Sequence, residues 1–175
     1  FFNTIHFKEI PTNLIALLFT FSFFLFYNFI KYWVHRFMHK WPILWALHKV
    51  HHSAETLNPI TVYRTHPFEG IVFSLRGAFS QGIIISIFIY LFGNKVDLVT
   101  ILGVNVFVFV FHIAGSNLRH SHIGIQYWSW LEKLIISPAQ HQLHHSLDLR
   151  HYDKNFGATL AIWDWIFGSL HHSED

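Results

Sequence analysis

The sequence predicts an all-α, membrane-embedded helical bundle, and three observations support that class. Charged residues make up only 13% of the 175 residues, whereas 52% are apolar and 20 are Phe. Soluble domains carry roughly 25% charge. Three stretches are long and nearly free of charge. The remaining chain forms two polar segments, and both are rich in histidine.

The first apolar stretch covers residues 14–34. Leu14 to Ile30 carry no charge, and Tyr32, Trp33 and Val34 extend the pattern past Lys31. About 20 helical residues cross a hydrocarbon layer of ~30 Å, and Pro11-Thr12-Asn13 offers a helix start. The second stretch, 77–92, ends at the turn signal Gly93-Asn94-Lys95. The third covers 96–114. The last two form a predicted helical hairpin with Lys95 and Asp97 at its tip. Their β-branched content leaves a strand reading open at 83–89 and 104–111, but their length favours helices.

Lys31, Arg36, Lys40 and Lys49 follow or flank the end of the first span, whereas Lys8 before it is offset by Glu9. The positive-inside rule therefore puts the His-rich segments, 35–76 and 117–170, on the cytosolic side as a helical cap. A hairpin entering and leaving from that side brings both segments to one face. The whole chain, 1–175, reads as a single membrane domain. It starts at Phe1, not Met, and reads as a fragment or a trimmed domain. No basic segment, short apolar run and cleavage site occur in series, so no signal peptide is expected.

Composition also excludes several functions. The net charge is +2 and no basic run occurs, so no nucleic-acid partner is expected. With no Cys, disulfides, thiolate zinc sites and cysteine nucleophiles are ruled out.

Sixteen His in one short chain require a cause, and metal ligation is the usual one. Three boxes carry them. The first is His35-Arg36-Phe37-Met38-His39. The second, His48-x-x-His51-His52, recurs as His141-x-x-His144-His145, and this is the one internal repeat. Positions i, i+3 and i+4 share a helix face, so each box can present its imidazoles together. Eight imidazoles exceed what one ion binds, which points to a di-metal site. Imidazole suits Fe, Zn, Cu and Ni alike, so spacing does not name the metal.

The ordered set of motifs resembles the fatty acid hydroxylase superfamily, which includes sterol desaturases. The resemblance covers roughly residues 25–170. It rests on Tyr32-Trp33-Val34-His35-Arg36-Phe37-Met38-His39, on Leu44-Trp45-Ala46-Leu47-His48 through Ser53, and on Arg64-Thr65-His66-Pro67-Phe68-Glu69. It continues with Ser137-Pro138-Ala139-Gln140-His141 through Ser146, Asn155-Phe156-Gly157 and Trp163-Asp164-Trp165-Ile166-Phe167-Gly168. It implies a membrane di-iron oxygenase, with two Fe ions (Zn being possible in purified protein) and dioxygen as co-substrate. An external electron donor of cytochrome b5 or ferredoxin type is also implied. The substrate would be a lipid from the bilayer, of sterol or fatty acyl type, which is hydroxylated or desaturated. The site would face the cytosol from a bacterial inner membrane or the endoplasmic reticulum.

The resemblance carries the eight box histidines over as ligands and adds His120, which sits 21 residues before His141. His112 and His122 are weaker ligand candidates. The family often has an acid seven residues before the first box, where this chain has Asn28. Asn28 could orient a ligand only as a neutral acceptor. His66 is a candidate ligand, ligand support or turn residue, and Asp164 a candidate acceptor behind a ligand or a helix cap. His6, His151, His171 and His172 read as surface residues. No substrate-binding residue is legible.

Two rival functions compete with this reading. A membrane zinc hydrolase needs a carboxylate base between its ligands, and no box contains one. A metal-binding or transport protein should place ligands near the bilayer midplane, but only His112 lies within a greasy stretch.

Overall fold

A computed structural model describes residues 10–96, 109 and 118–174 of the chain. Most of the third apolar stretch, with His112, lies outside the described residues, as does His6. Among the described residues there are helices and no strand; one isolated antiparallel bridge joins Ile135 and Leu160.

Helix α1 (Thr12–Lys40) contains the first apolar stretch and continues through the first histidine box. It stops at Trp41, which is extended (φ −100°, ψ 122°) because Pro42 follows. A residue before proline is pushed out of the α region. Proline then starts the next helix well, since its missing N–H would have no partner there. Helix α2 (Pro42–His52) therefore begins at once and turns the second box back toward the first.

Helix α3 (Pro67–Phe92) starts ten residues before the second apolar stretch. The cause is a capping box. His66 Nδ1 accepts from the Phe68 backbone N–H at 3.2 Å, and the Glu69 side chain accepts from the His66 N–H. The residues 67–76, expected in the cap, are thus the opening turns of a helix that runs on into the apolar stretch. The strand reading at 83–89 is replaced by helix.

α1 and α3 are both long and apolar enough to cross a membrane. They pack through Ile15, Phe19 and Phe23 against Ile84, Phe88 and Phe92. Each set repeats every four residues, one face of a helix. Phe19 meets Phe88 edge-on, with ring centroids 5.1 Å apart. The outer faces expose Leu17, Phe21, Leu75 and Phe79, as expected where lipid covers the helix. The fold is an all-α bundle of membrane type, with a His-rich cluster at one end.

Three short helices complete the cap: α4 (Ser129–Glu132), α5 (Pro138–His144) and α6 (Ile162–Ile166). Ser137 caps α5 in a full capping box with Gln140, and Pro138 takes the first helical position. The Ser-Pro-Ala-Gln that precedes the third box is therefore a helix-start signal.

Candidate metal centre

Nine histidines converge in two groups. His35, His39, His48, His52 and His144 form one; His51, His120, His141 and His145 form the other. Within each group, one nitrogen per ring lies within 4.8 Å of every other. The groups abut, since the rings of His52 and His145 stack with centroids 4.2 Å apart.

The partition follows from helix geometry. At ~100° per residue, i and i+4 are ~40° apart around the axis, whereas i+3 falls ~60° to the other side. In the second box His48 and His52 therefore point into the five-histidine group, and His51 into the other. The third box reverses the assignment: His141 and His145 enter the four-histidine group, and His144 crosses to the five. Each HxxHH box thus serves both groups.

Three rings of the five-histidine group are oriented from behind. His48 Nδ1–H donates to Glu69 Oε1 at 2.6 Å, His35 Nδ1–H to the Phe156 carbonyl at 2.6 Å, and His144 Nδ1–H to the Lys154 carbonyl at 2.7 Å. This tautomer leaves the three Nε2 lone pairs facing inward. The Nε2 atoms of His48 and His144 each lie 3.1 Å from that of His35. In the second group, His120 Nε2 is 3.3 Å from His51 Nε2 and 3.0 Å from His141 Nε2. His39 Nε2, His52 Nε2 and both nitrogens of His145 are buried without a hydrogen-bond partner. Buried polar atoms rarely stay unsatisfied, and inward-facing lone pairs repel. A cation in each group satisfies both conditions, so the residues fit a metal pair.

Burial pushes His51 down to about 3 and His144 to about 4, and it drives His52, His141 and His145 well below the ordinary imidazole range. All five are neutral at neutral pH, the form that binds metal. A base whose pKa falls on folding binds fewer protons folded than unfolded. Stability therefore drops as pH falls below the unfolded value near 6.5, and continues to drop toward the folded values. Metal-free protein in detergent should show a lower denaturant midpoint at pH 5.5 than at pH 7.5. Equal midpoints would contradict a buried neutral cluster.

The two carbonyls behind His35 and His144 belong to a loop that α6 holds. Asp164 accepts from the Phe156 N–H, the Gly157 N–H and Ser169 Oγ, each at 2.7 Å. Burial raises its pKa to about 6 against these three donors, so it is a carboxylate at neutral pH. Gly157 is required by close approach: a Cβ there would sit 2.6 Å from Asp164 Oδ2 and collide with the Leu160 carbonyl. Asn155, at φ 55°, donates from Nδ2 to the Gln140 and His171 carbonyls, and this ties the loop to α5. Asp164 touches no histidine ring; it acts through the loop.

The other candidates fall elsewhere. His66 is a helix cap, and His122 is exposed; neither belongs to a histidine group. Asn28 is buried two helical turns before His35, with Nδ2 donating to the Phe24 carbonyl at 2.8 Å and no role among the rings. His151 and His171 pair with each other at 5.2 Å, and His172 Nδ1 lies 3.5 Å from Glu132. The residue that sequence reasoning passed over is Glu69, fully buried against His48. The signal was a lone carboxylate in the first turn of an apolar helix, three residues after His66.

A cavity flanks the histidines on either side. One, about 360 Å³, is lined by His39, His52, His144, His145, Trp45 and Tyr152 among others. The other, about 310 Å³, lies against His35, His48, His51, His120 and His141.

The chain is similar in sequence to known proteins. The family described as fatty acid hydroxylase matches residues 20–169. The alkylglycerol monooxygenase of Danio rerio is 32% identical over 144 residues, covering 82% of this chain and 28% of that protein. The lathosterol oxidase of Mus musculus is 29% identical over 86% of this chain and 44% of its own length. The Delta(7)-sterol 5(6)-desaturase ERG3B of Gibberella zeae is 30% identical over 79% and 37%. The chain thus spans less than half the length of each of these relatives. No solved structure matches it significantly. With a match over most of its length that takes in all nine converging histidines, the chain belongs to the fatty acid hydroxylase family.

Proposed function

We propose that this chain is the catalytic core of a membrane lipid oxygenase that hydroxylates or desaturates its substrate. The five-histidine and four-histidine groups each hold one iron ion. The observation that carries this reading is the convergence of nitrogens from nine histidines into two adjacent groups, in which His39 Nε2, His52 Nε2 and both His145 nitrogens are buried without a hydrogen-bond partner. Bound iron supplies dioxygen activation and oxidation of an unactivated C–H bond. The protein's own work is to hold the rings. Glu69 and the Lys154 and Phe156 carbonyls set tautomer and direction. The relatives' names supply the reaction class: monooxygenase, sterol oxidase and desaturase. Electrons come from a cytochrome b5- or ferredoxin-type partner, the lipid comes from the bilayer, and the site faces the cytosol. A zinc hydrolase is less well supported, because the carboxylates beside the histidines are engaged: Glu69 by His48, and Asp153, which lines the 360 Å³ cavity, by Lys40.

The test is metal analysis of protein purified without oxygen, together with a search for dioxygen-dependent lipid oxidation. About two irons per chain and an oxidised lipid are expected. One tightly held zinc with no oxygen consumption would sink the proposal. Glu69→Gln should weaken metal affinity by about 10–100-fold, because an amide orients His48 without charge. Metal titration of the apoprotein measures this, and unchanged affinity would remove Glu69 from the site.

A further inference from the structure

The 310 Å³ cavity gathers three basic side chains. Lys31 from α1, Arg76 from α3 and Arg119 beside His120 all line it. Among the described lining residues Glu69 is the single carboxylate, and it is bound to His48. Among the described residues no carboxylate forms an ion pair with Lys31 or Arg76. Arg76 is built in: it donates to Tyr27 Oη at 3.1 Å and lies 4.8 Å over the Phe73 ring, while its Nε is buried without a partner.

Lys31 and Arg76 sit on the two helices long enough to cross a membrane. Basic side chains placed there without a carboxylate partner are costly and mark sites of function. Metal ions in the histidine groups would only add positive charge to the adjoining wall. The cavity is also of a size that takes a small ligand.

We infer that this cavity receives the anionic end of the substrate, a carboxylate or phosphate monoester, with Arg76 as a forked donor and Lys31 as a second basic donor. The inference rests on the lipid-oxygenase reading and narrows it to anionic lipids. Five of the nine histidines line the same cavity, so the carbon that reacts lies close to the anionic group and not at the far end of the chain.

The test reads binding without turnover, which separates it from the oxygenase proposal. Metal-loaded protein in neutral detergent is titrated with hexadecyl phosphate, palmitate and hexadecanol, followed by tryptophan fluorescence. The two anions should bind about ten-fold or more tightly than the alcohol. Lys31→Met and Arg76→Met should each erase most of that preference, and Lys31→Arg should keep it, which controls for folding. Equal affinity for anion and alcohol, or a preference that survives both Met variants, overturns the inference. Inorganic phosphate that binds as tightly as hexadecyl phosphate would assign the cavity to a free anion and also overturn it. Anion-selective binding without lipid oxidation would instead count against the oxygenase reading.

Discussion

His144→Ala should empty the five-histidine group of metal, leave the four-histidine group loaded, and lower lipid oxidation by more than about 100-fold. The size follows from comparison: losing a residue that merely orients a ligand costs 10–100-fold, so losing a ligand costs more. The selectivity follows from the partition, since His144 stands apart from its box neighbours His141 and His145. His141→Ala should show the mirror pattern. Metal content per chain, measured after dialysis, should fall from about two to about one in each variant, as each of the two groups loses its ion. Loss of both ions in both variants would mean the groups bind as one unit, and retention of both would overturn the site map. His122→Ala, at an exposed position outside both groups, should keep both ions.

Asp164→Ala should be the most damaging change that touches no ligand. It strands two buried backbone N–H groups, while the Ser169 hydroxyl loses one of its two partners and keeps Tyr32 Oη. Each buried donor left without an acceptor costs about 1–3 kcal/mol, for a total of about 2 kcal/mol or more. The Phe156 carbonyl would then lose its fixed position behind His35, so metal retention should weaken along with stability. Thermal melting in detergent and metal retention test this together. Asp164→Asn supplies a version that keeps the shape and removes the charge. It should fold, with a melting temperature between those of wild type and the alanine variant. A melting temperature equal to wild type in both variants would show that the loop is held by something else.

The sequence was most informative where short-range periodicity carries the meaning. The HxxxH and HxxHH spacings each put rings on one side of a helix, and every box residue reaches a group. His120 belongs with them, although only the resemblance singled it out. The end of α1 was less legible. The apolar run fades at Val34, but the helix continues to Lys40, because the His-rich turns pack inward and Pro42 sets the stop. The start of α3 was hidden for a related reason: a His-Pro-Phe-Glu capping box opens it within residues that read as polar cap. Glu69 escaped notice because its partner is 21 residues away, and no local pattern links them. The same holds for Asp164, which works through backbone amides that no sequence pattern reveals.

By itself, the sequence determined that this protein is an all-α membrane bundle with clustered imidazoles, because hydropathy, helix period and histidine spacing are local properties. Only the tertiary structure decided how nine histidines divide five and four, which carbonyls and carboxylate aim them, and that three basic side chains share a cavity with them. Those facts depend on rings and charges from α1, α2, α3 and α5 meeting in space. Two prolines and two capping boxes set where these helices stop and start, and one buried aspartate fixes the loop behind the rings.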